Sequence, residues 1–431
     1  TNSTSQTTLE TRIAELQTSM TESDGNDMSM YWKNGIRFDS ANKQFKFKLG
    51  GRIMNDYAWF DPDSNAKNYY GNRDFQTGTE FRRARLYMAG TIYGNVGFKA
   101  QYDFAGGDAD FKDVYLTTNA PWCNTKVTVG HQFEPFGLEV QTSSKYITFM
   151  ERGLVAQMSP ERNTGLRLDN TIGDGVWHWS AGVFRETDSF GDDADSLGAG
   201  DWNFTGRIAG VAWEDEDAEE TTMLAVGASG SLRKAKDDIV DDAFSTPYKD
   251  SFGRVRMRGG QHMGPRLVDT GRFGVDDDTK MWGLDAALVM GAMHAQAEYI
   301  TQDWDTVGGS ADLDAWAVQA GYFLTGETRN YKRSSANWDR TAPASNYGAE
   351  EGDGMGAWEA AVRYDTADLN DGPIQGGEID QWTFGLNWYL NPNTRIMWNY
   401  VMADMSGLAT GTRFDARGSV DVFEMRFQID F

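Results

Sequence analysis

Basic residues fall at two-residue spacing in Lys46 and Lys48, in Arg83 and Arg85, and in Arg254, Arg256 and Arg258. Residues two apart in an extended segment share one face, so each series is a row of cations aimed the same way. Guanidinium forks bind oxyanions bidentately and do not deprotonate, which makes anion recognition the chemistry such rows could do. The third series runs Gly253-Arg254-Val255-Arg256-Met257-Arg258 and is followed by Arg266 and Arg272. Its competing explanation is a solvated loop salted with charge, but the flanking sequence is strongly acidic, and a purely basic stretch stands out against it. Other chemistry finds little support. Cys123 is the single cysteine, and His131, His178, His262 and His294 are scattered without ligand spacing. An enzyme would need a nucleophile and base on one face, and no Ser-His pairing within the strand-like segments is read as one. No metal, cofactor, enzyme activity or nucleic-acid partner is expected.

The elements that must carry these rows are strands. From Val422 onward the chain alternates strictly, with Phe423, Met425, Phe427, Ile429 and Phe431 on one side and Glu424, Arg426, Gln428 and Asp430 on the other. The same dyad sets Phe45, Phe47, Leu49, Ile53, Tyr57 and Trp59 against Lys46, Lys48, Arg52, Met54 and Asp56. It also sets Ala84, Leu86 and Met88 against Arg83, Arg85 and Tyr87. No stretch holds the ~18 apolar residues a membrane helix needs. A transmembrane antiparallel β-barrel reconciles apolar faces with a water-soluble overall composition, because only half of each strand meets lipid. A charge on the lipid face at midplane costs roughly 2 to 4 kcal/mol, so the strand arginines face the lumen. There each is either an anion ligand or a structural bridge to a carboxylate.

Alternating segments number about sixteen, an all-β unit over residues 31–431. Turn chemistry marks Tyr93-Gly94-Asn95, Gly173-Asp174-Gly175, Gly291-Ala292 and Asn391-Pro392-Asn393. Long Gly/Asp-rich inserts lie near 61–79, 186–201, 234–278, 303–311, 325–356 and 405–418, and turns and inserts are read as periplasmic turns and extracellular loops. Residues 131–163 are too apolar for a surface loop, and a barrel can hide them only inside itself. That makes them a constriction loop, with Ser143, Ser144, Lys145 and Arg152 able to line an eyelet. Leu9, Ile13, Leu16 and Met20 form an a/d stripe, so residues 1–22 are read as a short coiled-coil-like periplasmic helix that supports a trimer or packs under its own barrel. Residues 23–30 are a linker. The chain opens Thr1-Asn2-Ser3 without a charged and apolar leader, and a removed signal peptide is expected.

Several stretches closely resemble the phosphate-selective porins O and P, in the same order. They are Phe45-Lys46-Phe47-Lys48-Leu49-Gly50-Gly51-Arg52, Phe81-Arg82-Arg83-Ala84, Phe136-Gly137-Leu138-Glu139, Thr142-Ser143-Ser144-Lys145, Glu151-Arg152, and Leu324 through Lys332. The resemblance runs from about Tyr31 to Phe431. It implies a homotrimer of sixteen-stranded barrels in a Gram-negative outer membrane, among lipid and lipopolysaccharide, each barrel passing phosphate-type anions through its own pore. Carried over motif by motif, the constriction arginines fall on Arg52, Arg83 and Arg152 and the eyelet serine on Ser143. Arg254, Arg256 and Arg258 resemble an extracellular arginine ladder, and Lys33, Lys43 and Lys48, with Lys46 beside them, a periplasmic lysine cluster.

Three departures bear on selectivity. Val140 stands where the family has an eyelet lysine, Lys112 where it has an acidic residue, and Arg85 where it has a tyrosine. One cation is lost and two are gained, although regular parity would turn Lys112 away from the side bearing Asp113. The formal net charge of −24 is not pore charge. Carboxylates concentrate at Asp188 to Asp201, Asp276 to Asp278 and Glu350 to Asp353, where they sit in water and are screened beyond ~8 Å. Divalent cations are candidate partners there, since hard cations want clustered oxygens, although nothing matches a defined calcium loop. The expected function is a passive anion channel. The alternatives are a general or differently tuned porin and an envelope anchor acting through the N-terminal helix.

Overall fold

A computed structural model describes residue 12 and residues 27–71, 75–120, 125–192, 202–234, 252–348, 354–410 and 413–431. An N-terminal hairpin, β1 (Met28–Trp32) and β2 (Ile36–Ser40), leads into β3 (Lys46–Pro62), β4 (Gly78–Ile92), β5 (Val96–Asp103), β6 (Asp110–Asn119) and β7 (Lys126–Phe133). Beyond the inward segment follow β8 (Arg162–Ile172), β9 (Trp177–Arg185), β10 (Asn203–Glu214) and β11 (Thr222–Arg233). Two small hairpins, β12 (Phe252–Gly253) with β15 (Phe273–Gly274) and β13 (Arg256–Met257) with β14 (Val268–Asp269), precede β16 (Thr279–Met290), β17 (Met293–Thr306) and β18 (Gly309–Phe323). A third, β19 (Tyr331–Lys332) with β20 (Asn337–Trp338), precedes β21 (Ala357–Asp371), β22 (Ile374–Asn391), β23 (Thr394–Thr410) and β24 (Arg413–Asp430).

The sixteen long strands form one antiparallel wall that closes where β24 pairs with β3, from Val420 against Pro62 to Asp430 against Arg52. Past the end of β24, β2 takes its place along Lys46 to Leu49 of β3. Closure leaves no unpaired edge, which backbone in lipid requires. Strand β1 begins inside the segment read as a linker. Met28 to Trp32 alternates and folds back on Ile36 to Ser40 through a turn in which Asn34 and Gly35 take φ of 54° and 130°. The stripe of residues 1–22 lies outside the described residues.

The dyad pattern becomes two faces. On β24, Phe423, Phe427 and Ile429 are 43%, 43% and 44% exposed, while Glu424, Arg426, Gln428 and Asp430 are buried in the lumen. Outward aromatics form two girdles. Tyr364 contacts both Trp316 and Trp382 toward the long-loop end, and Trp358 stacks with both Trp388 and Trp398 toward the short-turn end. Six residues separate the girdles on β21 and on β22, about 20 Å along a strand, which suits an apolar band ~25 Å tall once strand tilt is considered. Beyond the loop-end girdle the pattern inverts. Ala311, Leu313 and Ala315 face in, and Asp312 and Asp314 face out. There the wall behaves like a water-soluble barrel wrapped around a packed core.

That core lies inside the barrel. Residues 134–161 fold into the lumen as expected, burying Phe136, Leu154, Val155 and Met158 against Ile300, Leu313, Ala317 and Val401 of the wall. Val255, Met257, Leu267 and Val268 of the 252–278 loop join the same cluster. The insert at 325–356 is corrected in its side. β18 ends at the short-turn end of the barrel, where Tyr322 pairs with Met293 beside the Gly291-Ala292 turn, so this segment starts there. It then folds inward, because Tyr331 and Trp338 have apolar surface to bury against Leu138, Val211 and Met223. Trp338 Nε1 also donates to Gln296 Oε1 at 2.7 Å. Nor are 303–311 and 405–418 long loops. The first is strand on both sides of a tight turn at Val307-Gly308, and β23 and β24 continue to Thr410 and from Arg413.

Candidate functional site

With most of the lumen filled along β10 to β24, the open space lies against β3 to β8. A cavity of about 460 Å³ there is lined by Arg52, Arg82, Arg83, Arg85, Lys99, Lys112, Arg152, Arg162, Arg258 and Arg266. Against these ten cations stand three carboxylates, Asp113, Glu151 and Glu161. Charge of one sign in a cleft with low-dielectric walls focuses the field on whatever enters.

Pairing sorts the cations into those already spent and those free. Glu151, on the inward segment, accepts both forks of Arg82 at 3.0 Å, Arg83 at 3.3 Å and Arg426 at 2.7 Å. These arginines hold the Glu151 carboxyl well below the usual glutamate range against the opposing effect of burial, which is the largest single influence. Arg85 Nε donates to Asp103 at 2.6 Å, and Asp113 holds Lys99 at 2.5 Å and Arg162 at 2.8 Å. Thus Arg83 and Arg85, expected as pore cations, line the cavity as bridges to carboxylates. Arg52 differs. Its Nη1 donates to Ser144 Oγ at 2.6 Å and approaches Ser143 Oγ at 3.5 Å. Among the described residues no carboxylate lies within ion-pair distance of it.

Arg152 spends its donors on its own loop, with Nε to the Glu139 carbonyl at 2.9 Å and Nη2 to the Thr142 carbonyl at 2.8 Å. It ties a short helix, Leu138–Gln141, to the serine turn. Arg152→Ala is therefore expected to loosen the serines and raise open-channel current noise; quiet single-channel records from the variant would refute that role. Val140, in the position of the family's lysine, is buried away from the cavity. Lys112 does line it beside Asp113, which regular parity forbids. The reason is a β-bulge: between Ala100–Val114 and Tyr102–Phe111, Lys112 and Asp113 together face Gln101. Lys112 pairs with Asp110 at 3.2 Å. Lys145 turns away, to Asp430 at 3.0 Å, and borders a separate small cavity with Arg340; burial lowers its ammonium to about 8, with Asp430 opposing the shift.

Toward the loop end, Arg254, Arg256 and Arg258 share one face of their segment, and Val255 and Met257 on the opposite face are buried in the core. Of the three only Arg258 lines the cavity, joined by Arg266; Arg254 pairs with Asp269. Burial, and then Arg258 and Arg256, lower the Arg266 guanidinium to about 10. Toward the short-turn end, Lys46, Lys48, Arg37 and Lys126 line a second cavity of about 460 Å³, and Lys99 belongs to both. Lys48 and Lys99 sit over the Tyr87 ring at 5.2 and 5.7 Å. Lys33 is exposed, and Lys43 is an exposed partner of Asp39. Sequence reasoning missed Lys99 and Arg162. Lys99 shares the inward parity of Gln101 and Asp103, a signal that was available; Arg162, at the first position of β8, offers none.

The model of the family described as phosphate-selective porin O and P matches residues 47–431. Porin O of Pseudomonas aeruginosa is 29% identical over 439 residues, covering 95% of this chain and 93% of that protein. Among solved structures, an anion-selective porin from Comamonas acidovorans superposes with a TM-score of 0.54 at 13% identity, over 90% of this chain and 100% of that one. The trimer form of OmpT, an outer membrane protein of Vibrio cholerae, gives a TM-score of 0.51 at 12% identity, over 90% and 99%. At such identities the structural likenesses speak for the porin barrel, and the family model and the relative speak for the family. The chain belongs to the phosphate-selective porin O and P family.

Proposed function

We propose that this porin is a passive outer-membrane channel for phosphate-type oxyanions, working as a homotrimer with one pore per subunit. The observation that carries the reading is the excess of ten lining cations over three carboxylates in the open part of the lumen, where Arg52 lies outside ion-pair distance of any described carboxylate. An oxyanion that sheds part of its hydration there meets the Arg52 fork and the hydroxyls of Ser143 and Ser144 as replacement donors. The bridged arginines set a fixed positive rim. Three guanidiniums share Glu151, and because Arg426 also holds Asp56 that group leaves a surplus of one charge; Lys99 and Arg162 around Asp113 leave another. Arg258 and Arg266 on one side, and Lys48 and Lys126 on the other, offer shallow sites for entry and exit. Trimeric assembly is supported by the trimer form of OmpT, a structural neighbour, and by the family.

Single-channel recording of the purified trimer in a chloride gradient, followed by titration with phosphate, pyrophosphate and sulfate, tests this reading. The expected result is an anion-side reversal potential with phosphate blocking chloride current at low concentration. A cation-side potential, or no block by any of the three, would overturn it.

A further inference from the structure

Strand register sets a puzzle beside Arg52. On the lumen wall, Asp430 of β24, Arg52 of β3, Arg85 of β4 and Asp103 of β5 are successive cross-strand partners. Directly opposed residues on one face lie about 5 Å apart at their Cβ atoms, and opposite charges so placed attract. Arg85 behaves accordingly and pairs with Asp103. Arg52 has Asp430 at the same remove on its other side and does not pair with it. Its guanidinium goes to the serines, and the Asp430 carboxylate goes to two other cations.

Those cations arrive from two different inward segments. Lys145, next to Ser143 and Ser144, reaches Asp430 at 3.0 Å, and Arg340, from the segment entering at the short-turn end, contacts the same carboxylate. Arg340 Nη2 lies 3.3 Å from the Tyr146 hydroxyl, and the Lys145 ammonium lies 5.1 Å from the Tyr146 ring centroid, so one aromatic braces both. The side chains of Lys145, Arg340 and Asp430 are 11%, 12% and 3% exposed. A carboxylate this enclosed needs a cation, and the one directly opposite it on the neighbouring strand is Arg52.

We infer that Lys145 and Arg340 are positioning residues that occupy Asp430 and thereby keep Arg52 free for the passing anion. The inference rests on the anion-channel reading and refines it: Lys145 serves the eyelet by withholding a competing carboxylate from Arg52.

A rescue experiment separates this from a direct anion contact by Lys145. Lys145→Met is expected to weaken phosphate block of chloride current about fivefold, as Asp430 turns to Arg52, and adding Asp430→Asn is expected to restore block to within about twofold of the unaltered channel. Should the methionine variant not assemble, Lys145→Ala, which likewise removes both charge and donor from Asp430, gives the same comparison. Asp430→Asn alone should block at least as well as the unaltered channel. A double variant as weak as the single one would overturn the inference, since Lys145 would then be touching the anion itself. An unaltered channel without phosphate block would overturn the anion reading and the inference with it; block without rescue overturns the inference alone.

Discussion

Replacing Arg52 with methionine is expected to weaken phosphate block of chloride current ten- to hundredfold, while the barrel still folds and conducts. A hydrogen bond to a charged group contributes about 1.5 to 3 kcal/mol, and each 1.4 kcal/mol is about a factor of ten in affinity. Arg52 is the place to look for the whole of that effect, because it donates to Ser144 and approaches Ser143 and, among the described residues, no carboxylate lies within ion-pair distance of it. Methionine keeps the length of the side chain, and loss of the Ser144 contact leaves a hydroxyl that faces an open cavity where water can replace the donor. The variant should also shift the reversal potential toward zero. Arg52→Lys should fall between, since an ammonium retains the charge and loses the fork. Unchanged phosphate block in the methionine variant would show that the paired arginines carry selectivity without Arg52.

The barrel was legible because its cause is local. Side-chain direction alternates residue by residue, so the separation of Phe423, Phe427 and Ile429 from Glu424, Arg426 and Asp430 can be read from ten consecutive letters. The inward course of residues 134–161 could be read from composition, since Phe136, Leu138, Phe149 and Leu154 have nowhere else to be buried. The segment after Phe323 gave no such sign. Tyr331 and Trp338 are spaced among charged residues, and which end of the barrel they leave from depends on strand parity counted through the whole chain. The bulge at Lys112 and Asp113 was hidden for a related reason: periodicity arguments assume an unbroken ladder.

Site residues divided along the same line. Sequence parity correctly turned Arg52, Arg83, Arg85 and Arg426 toward the lumen, but what each does there depends on partners far away in the chain. Glu151 gathers Arg82, Arg83 and Arg426 from strands at opposite ends of the sequence, and Asp430 reaches back to Lys145 and across to Arg340. An inward arginine reads the same in sequence whether it is free or neutralised, and only the fold tells Arg52 from Arg85.

Glu151→Gln should therefore have two opposite consequences. Arg426 retains Asp56, which it grips at 2.7 and 2.6 Å, but Arg82 and Arg83 lose the carboxylate that pairs them. Arg83 is nearly buried, its Nε already lacks a partner, and its other recorded contact is the Met54 sulfur at 3.5 Å. Removing one partner of such a buried pair typically costs roughly 3 to 5 kcal/mol, so the detergent-solubilised variant should unfold at clearly lower temperature. Those same two guanidiniums face the cavity, and once unneutralised they become anion ligands. Phosphate should accordingly block the variant more tightly than the unaltered channel and restore more of its lost thermal stability, because a ligand stabilises the state that binds it. Acid provides a milder version. Because the Glu151 carboxyl is held well below its ordinary value of 4.5, its contribution to stability is complete above that value and is lost only as pH falls well beneath it. A destabilised Glu151→Gln channel with weaker phosphate block would mean that Glu151 shapes the inward segment without restraining the arginines around it. Tighter block together with phosphate-dependent recovery would show that the carboxylate holds two of the pore's cations in reserve, leaving the eyelet attractive enough to admit an anion and weak enough to release it.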